Sequence, residues 1–237
     1  MDDKLFSAFT IPVDDDRRVD GRLYRAAGSR RDRATLVLAH GAGAGQSSGF
    51  MMRFARALAA RGLDVVTFDF LYMQARKRVP DSNALLEATW RRAIVAASEV
   101  TDTAGTRLFI GGKSMGGRIA SQVAARPEQL PARVAGLVFL GYPLHPPGQP
   151  GRRRDAHLHS VDAPMLFVQG ERDAFGTADE MGSLVPALPH ASLYVVAGAN
   201  HSLEVPRRAE PSQERVFTVV QDRIVEWIRD LAVRDLA

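Results

Sequence analysis

The stretch RLFIGGKSMGGRIAS, residues 107–121, decides how the sequence is interpreted. Its first part, 107–111, is a β-rich run that predicts a strand, and 114–125 has helical spacing. Between them lies a G-x-S-x-G pattern centred on Ser114. A serine on such a sharp strand-to-helix turn has strained backbone angles, and its neighbours two residues away must lack side chains. The pattern predicts Ser114 as a nucleophile, with a plain helix cap as the alternative.

Short strands and helices alternate along the rest of the chain. Further strands are predicted at 7–13, 18–25, 35–39, 64–70, 134–140, 165–170 and 192–196. Further helices are predicted at 50–61, 82–100, 177–184 and 212–232. The alternation predicts an α/β protein with a mostly parallel sheet, an N-terminal antiparallel hairpin and helices on both faces. A length of 237 residues predicts a single domain, residues 1–237.

Two further reactive side chains follow later strands. The carboxyl ends of parallel strands meet at one edge of an open sheet, where chemistry takes place. Asp173 follows the strand at 165–170, and His201 follows the strand at 192–196. A serine hydroxyl needs a base, and an imidazole needs a carboxylate to fix its tautomer and stabilise its protonated form. Singly, the two residues have the alternatives of an Asx turn and a solvated loop histidine. Together with Ser114 they predict a Ser-Asp-His triad, whose activity rises with pH as His201 loses its proton.

A glycine-rich loop, HGAGAG at residues 40–45, follows the strand at 35–39. Its backbone N–H groups are expected to face the same site. We expect the N–H groups of Ala42 and Met115 to form the oxyanion hole, because Met115 begins a helix and its N–H has no intrahelical acceptor. His40 is expected to be structural, bonding within the loop.

Composition excludes several classes of function. The chain has no cysteine, which excludes disulfides, thiolate metal sites and a cysteine nucleophile. The net charge is +4, but the arginines are scattered among acidic residues, so no nucleic-acid partner is predicted. No apolar run reaches the roughly 18–20 residues of a membrane helix, and residues 1–4 begin no apolar signal segment. We expect a cytoplasmic protein without a membrane partner, and the oligomeric state stays open.

Three patterns imitate other binding sites. The loop at 41–45 resembles a dinucleotide fingerprint, but Gln46 stands where its third glycine is required. Residues 112–114 resemble the end of a phosphate-binding loop, but Arg107 occupies the position of that motif's first glycine. His157 and His159 have the spacing of metal ligands without a nearby carboxylate cluster. No metal and no cofactor are therefore predicted.

Several longer segments resemble the α/β-hydrolase superfamily, from residue 35 to the closing helix. They are HGAGAG (40–45), FDFLYM (68–73), GGKSMGGRIAS (111–121), LGYPLHPPG (140–148) and VQGERDAFG (168–176). More narrowly, they are similar to the dienelactone-hydrolase-like branch that includes the hydrolase-like domain of testis-expressed protein thirty and of the third NSL complex subunit. The resemblance implies Ser114 as nucleophile, Asp173 as acid and His201 as base. Dienelactone hydrolases proper use a cysteine nucleophile, so Ser114 argues against their substrate.

The same resemblance guides the expected substrate site. Residues 144–162 form only a loop where such hydrolases usually insert a cap, so no cap domain and an open, shallow pocket are predicted. Lys113 and Arg118, with the basic run 76–78, favour an anionic acyl group. The expected substrate-binding residues, each with simple packing as the alternative, are Tyr72, Met73, Lys113, Tyr142, Leu144, His145 and Phe175.

The predicted function is that of a serine hydrolase, most simply a carboxylesterase that hydrolyses small acyl esters through an acyl-enzyme. Its expected partner is a small-molecule ester or thioester. Two alternatives stay open: hydrolysis of amides, thioesters or peptides by the same triad, and a non-catalytic scaffold built on a hydrolase fold.

Overall fold

The computed structural model describes residues 5–27, 31–101 and 106–234, with side chains of the last helix up to residue 232. Residues 1–4, which bear on the predicted absence of a signal segment, lie outside this range. The strands are β1 Ser7–Pro12, β2 Arg18–Tyr24, β3 Ala34–Ala39, β4 Asp64–Phe68, β5 Arg107–Lys113, β6 Val134–Leu140, β7 Met165–Gly170 and β8 Ala191–Val196. The helices are α1 Gly49–Ala60, α2 Leu71–Gln74, α3 Asn83–Val100, α4 Met115–Ala124, α5 Ala178–Leu184 and α6 Gln213–Arg234.

The strands of the described residues form one sheet in the order β1-β2-β4-β3-β5-β6-β7-β8. β2 pairs antiparallel with both β1 and β4, and the pairs from β4 to β8 are parallel. This confirms the predicted mostly parallel sheet with an N-terminal antiparallel hairpin. Because β3, β5, β7 and β8 run in the same direction, the segments after them lie along one edge of the sheet.

Helices cover both faces of the sheet, as predicted. Every residue of β3 is buried, and neighbouring side chains enter opposite clusters of the core. Leu36 packs on the face that carries α1 and α6, whereas Val37 packs on the face that carries α3, α4 and α5. A strand that is apolar on both sides is typical of a parallel strand with helices above and below. None of the helices in the described ranges combines the length and apolarity that crossing a bilayer requires.

The strand predicted at 64–70 is two residues too long. β4 ends at Phe68, because the Phe70 N–H leaves the ladder and donates to His40 Nε2 at 3.1 Å. The chain then turns into the short helix α2, which the sequence analysis did not predict. β5 instead runs two residues beyond the predicted end, to Lys113, directly before Ser114.

No cap domain covers the sheet edge between β6 and β7, as predicted. Residues 141–164 are all described, and their only regular element is a short 3-10 helix at Ala156–Ser160. At Arg154 the segment folds back on its own first residues. Its N–H donates to the Leu144 carbonyl at 2.8 Å, and its carbonyl accepts from the Tyr142 hydroxyl at 2.8 Å.

Candidate active site

Ser114 lies on the turn between β5 and α4 with φ 49° and ψ −117°. A positive φ strains a residue that has a side chain, at a cost of about 1–3 kcal/mol. The two glycines of the G-x-S-x-G pattern make the turn possible. A Cβ on Gly112 would lie 2.2 Å from the Ala39 carbonyl oxygen, and one on Gly116 would lie 2.5 Å from it. The elbow therefore packs directly on the end of β3, where only glycine fits.

The structure brings Ser114, His201 and Asp173 into one hydrogen-bonded series. Ser114 Oγ lies 2.8 Å from His201 Nε2, and His201 Nδ1 lies 2.8 Å from Asp173 Oδ2. Because a carboxylate only accepts, Nδ1 carries the hydrogen, which leaves Nε2 of the neutral ring to accept from the serine hydroxyl. The Phe175 ring stacks on the imidazole with centroids 4.2 Å apart. The imidazole thus contacts an acid, a hydroxyl and an aromatic face.

The Asp173 carboxylate has no exposed surface, and backbone and side-chain donors surround it. Oδ1 accepts from the Phe175 N–H at 2.8 Å, and Oδ2 accepts from Gln169 Nε2 at 2.9 Å as well as from His201. The sequence analysis missed Gln169. Its signal was a glutamine inside the otherwise apolar strand MLFVQG, since a buried amide requires hydrogen-bond partners.

The two residues whose N–H groups are expected at an oxyanion hole both line the cavity at Ser114. Ala42 and Met115 line the same cavity as Ser114. Met115 is the first residue of α4, so its N–H has no acceptor within the helix. No acceptor within the described ranges pairs with the Ala42 N–H. Both donors are therefore available to a bound group.

His40 fixes the loop that carries Ala42. Its ring is fully buried, with Nδ1 2.8 Å from the Gly41 carbonyl oxygen and Nε2 accepting from the Phe70 N–H. Burial lowers the pKa of His40, which keeps the ring neutral, as an acceptor Nε2 requires. The prediction that His40 is structural and bonds within the loop is confirmed.

A cavity of about 640 Å³ opens beside Ser114 and His201. Its apolar wall includes Phe50, Met51, Leu86, Met115 and Phe175. Its charged side chains are Asp81, Lys113, Arg118, Arg154 and Glu204. Of the predicted substrate-binding residues, Lys113 and Phe175 line this cavity. The basic run at 76–78 does not line it, whereas Arg154, which the sequence analysis did not single out, does.

The other predicted substrate-binding residues do not line this cavity. Tyr142 is 1% exposed, and its hydroxyl donates to the Arg154 carbonyl. His145 lies between the Pro146 carbonyl and the Glu180 carboxylate, at 2.8 and 3.0 Å. The remaining members of this group, which are buried or partly buried against the core, are Tyr72, Met73 and Leu144.

Lys113 links the elbow to the histidine loop. Its Nζ donates to the His201 carbonyl oxygen at 2.6 Å and lies 5.8 Å from the centre of the Phe50 ring. Burial lowers the pKa of Lys113 to about 8. The cavity therefore carries an ammonium group that loses its charge at mildly alkaline pH.

A second serine–histidine contact lies behind the cavity wall. Ser121 Oγ is 2.8 Å from His157 Nε2, and the same hydroxyl donates to the Arg118 carbonyl at 2.7 Å. Ser121 is fully buried. Burial, with the charge of Arg118 second, lowers the pKa of His157 to about 4.

Comparison with known proteins agrees with this architecture. A dienelactone hydrolase from Anabaena variabilis is 23% identical, with a TM-score of 0.70 over 94% of this chain and 95% of that one. An α/β serine hydrolase without lid from Xanthomonas campestris is 17% identical, with a TM-score of 0.71 over 94% and 95%. A serine hydrolase homologue from Coxiella burnetii is 19% identical, with a TM-score of 0.68 over 98% and 97%.

The TM-scores of these three structures show a shared fold. Within the sequence, residues 32–229 match the family model for the alpha/beta hydrolase domain, a range that runs from just before β3 into α6. The resemblance to the superfamily is thereby confirmed, while the narrower one to testis-expressed protein thirty and the NSL subunit stays a prediction. The chain belongs to the alpha/beta hydrolase domain family.

Proposed function

We propose that this protein is a serine hydrolase in which Ser114 is the nucleophile, His201 the base and Asp173 the acid. The observation that carries the proposal is the series of two 2.8 Å hydrogen bonds that joins these groups at the wall of a cavity. A hydroxyl, a neutral imidazole and a buried carboxylate in this order are what activation of a serine requires.

The reaction follows from this geometry. Ser114 Oγ attacks the substrate carbonyl carbon while its proton passes to His201 Nε2, and the imidazolium is stabilised by Asp173. The carbonyl oxygen becomes an oxyanion that accepts from the N–H groups of Ala42 and Met115. His201 then gives its proton to the leaving alcohol, which leaves an acyl-enzyme. A water molecule, deprotonated by His201, attacks the acyl carbon, and collapse of the second intermediate returns the proton to Ser114.

The substrate class that we propose is a small acyl ester, with no cofactor required. The cavity has room for a small molecule, and no cap extends it. Lys113, Arg118 and Arg154 outnumber the acidic Asp81 and Glu204 along its wall, which favours an ester with an anionic acyl group. Amides, thioesters and peptides would use the same residues, and a substrate panel separates them from esters.

Labelling with a fluorophosphonate probe tests the proposal, because the probe phosphonylates activated serines. We expect wild type and Ser121→Ala to be labelled and Ser114→Ala to stay unlabelled. Ser121→Ala is a matched control, since it also removes a hydroxyl 2.8 Å from an imidazole. Failure of the wild type to react would overturn the proposal and favour a scaffold, whereas equal labelling of Ser114→Ala would overturn it by showing a different nucleophile. A series of nitrophenyl esters of graded acyl length then measures the preference for short chains.

A further inference from the structure

Gln169 occupies a junction between the end of β6 and the loop that carries Asp173. It is fully buried in β7. Its Oε1 accepts from the Tyr142 N–H at 2.8 Å. Its Nε2 donates to the Gly176 carbonyl at 2.7 Å and to Asp173 Oδ2 at 2.9 Å, with the Tyr142 carbonyl at 3.2 Å. One amide group therefore bonds to three residues that support the site: Tyr142, Asp173 and Gly176.

The surroundings fix which way the Gln169 amide points. Its oxygen faces a backbone N–H, which can only donate, and its nitrogen faces two carbonyls and a carboxylate, which only accept. The reversed amide would place its oxygen against three acceptors and its nitrogen against a donor. Because the side chain is buried, the loss of these bonds would not be compensated by water. The N–H of Gln169 is thus aimed at Asp173 in a single orientation.

The oxygen that Gln169 contacts is the one that serves His201. Asp173 Oδ2 lies 2.9 Å from Gln169 Nε2 and 2.8 Å from His201 Nδ1. The Phe175 N–H holds only the other oxygen, Oδ1, so it leaves the carboxylate free to turn about the line through that contact. A donor on Oδ2 removes this freedom and sets the plane in which the imidazole must lie.

We infer that Gln169 is a positioning residue, which acts as a hydrogen-bond donor to Asp173 and so fixes the orientation of His201 toward Ser114. The inference rests on the proposed function, because it assigns a role within the same triad. It requires that a change at Gln169 alters the chemical step more than substrate binding, since Gln169 does not line the cavity.

Two variants separate this role from simple packing. Gln169→Leu removes donor and acceptor, and we expect kcat to fall about 10- to 100-fold with KM changed less than about threefold. Gln169→Glu keeps the shape. When protonated, its carboxyl group can accept from the Tyr142 N–H and donate its one hydrogen to Asp173, while the Gly176 carbonyl loses its donor. Once ionised, it has no donor and repels the Asp173 carboxylate.

The decisive measurement is the pH dependence of kcat for Gln169→Glu relative to wild type. Two carboxyl groups in one dry site retain a shared proton to higher pH than either would alone. We therefore expect the ratio of the variant's kcat to that of wild type to fall steadily as pH rises. Gln129→Glu adds the same charge at an exposed position that accepts from Arg91, and its ratio should stay flat.

Contrary outcomes are distinct from failure of the proposed triad. If Ser114→Ala retains hydrolysis, the proposed function fails. If Ser114→Ala is inactive but Gln169→Leu keeps kcat within about twofold of wild type, the positioning role fails alone. A reduced Gln169→Glu ratio that does not change with pH would also overturn the inference, because packing damage is independent of protonation. Circular dichroism identifies unfolded variants, and if Gln169→Leu does not fold, the pH ratio of Gln169→Glu decides.

Discussion

Two serine–histidine pairs lie along helix α4, one directly before its first residue and one within it, and in each a serine Oγ lies 2.8 Å from a histidine Nε2. Ser114 precedes the first residue of the helix, lines the cavity, and pairs with a ring whose other nitrogen contacts Asp173. Ser121 lies two turns further along, is fully buried, and gives its hydrogen to a carbonyl of its own helix. The distances agree, while the surroundings differ in every respect that matters for proton transfer.

The difference concerns the surroundings that the proposed reaction requires. His157 has a pKa lowered to about 4, so its ring resists the proton that a general base must take up. No carboxylate within the described residues bonds to that ring, and no substrate can reach Ser121. Burial therefore makes one pair a packing element, whereas a strained turn, a buried carboxylate and an adjoining cavity suit the other to the reaction that we propose.

The largest expected effect comes from removing the acid. Asp173→Asn should lower kcat about 10⁴-fold, because an amide stabilises neither the correct tautomer nor the imidazolium. Asp155→Asn is the matched change near His157 and should leave kcat within about twofold. Steady-state kinetics on a nitrophenyl ester checks both. Equal losses in the two variants would show that the two pairs do not differ in the way described.

A smaller effect is expected from the cation beside the Ser114–His201 pair. Below about pH 8 the Lys113 ammonium is charged, and above it the charge is lost. For a monoester of a dicarboxylic acid, KM should rise about 3- to 10-fold as pH passes through this value. For a neutral ester of the same length it should not. Lys113→Met should give the high KM for the charged ester at every pH. A KM for this ester that changes neither with pH nor with the substitution would contradict the prediction.

The smallest effect is expected on stability. The unfolded chain protonates His157 near its ordinary pKa of 6.5, whereas the folded protein does not until about 4. Folding stability that His157 contributes above pH 6.5 is therefore lost as pH falls toward 4. Between neutral and acid pH, the melting temperature of His157→Gln should fall less than that of wild type. Its kcat should be nearly unchanged. If the melting temperatures of the two proteins fell equally across this pH range, the result would argue against a neutral His157 in the folded protein.

The sheet, the elbow and the order Ser114, Asp173, His201 could be predicted from the sequence, because each depends on local pattern and on which strand a residue follows. The directions of side chains beyond the strand ends could not be predicted from it. Tyr142 follows β6 at the correct edge, yet its ring turns into the core. No sequence pattern pairs Ser121 with His157, and only packing of the 3-10 segment against α4 brings them together.

Gln169 is an intermediate case. Its position in an apolar strand indicates that the amide has buried partners, but not that one of them is Asp173. That contact depends on how the loop after β7 folds back over the strand that precedes it. Polar residues inside apolar strands are therefore good pointers to a site, although their role becomes visible only with the loop in place.

The backbone angles at Ser114, φ 49° and ψ −117°, suit the first central position of a type II′ turn, where glycine is at ease. A chain selected only for resistance to heat would gain about 1–3 kcal/mol by exchanging this serine for glycine. Under the proposed mechanism, that chain would be more stable and inactive. Random mutagenesis screened for melting temperature alone should therefore favour loss of the Ser114 hydroxyl. Any selection for a more stable variant must include a screen for turnover at every round.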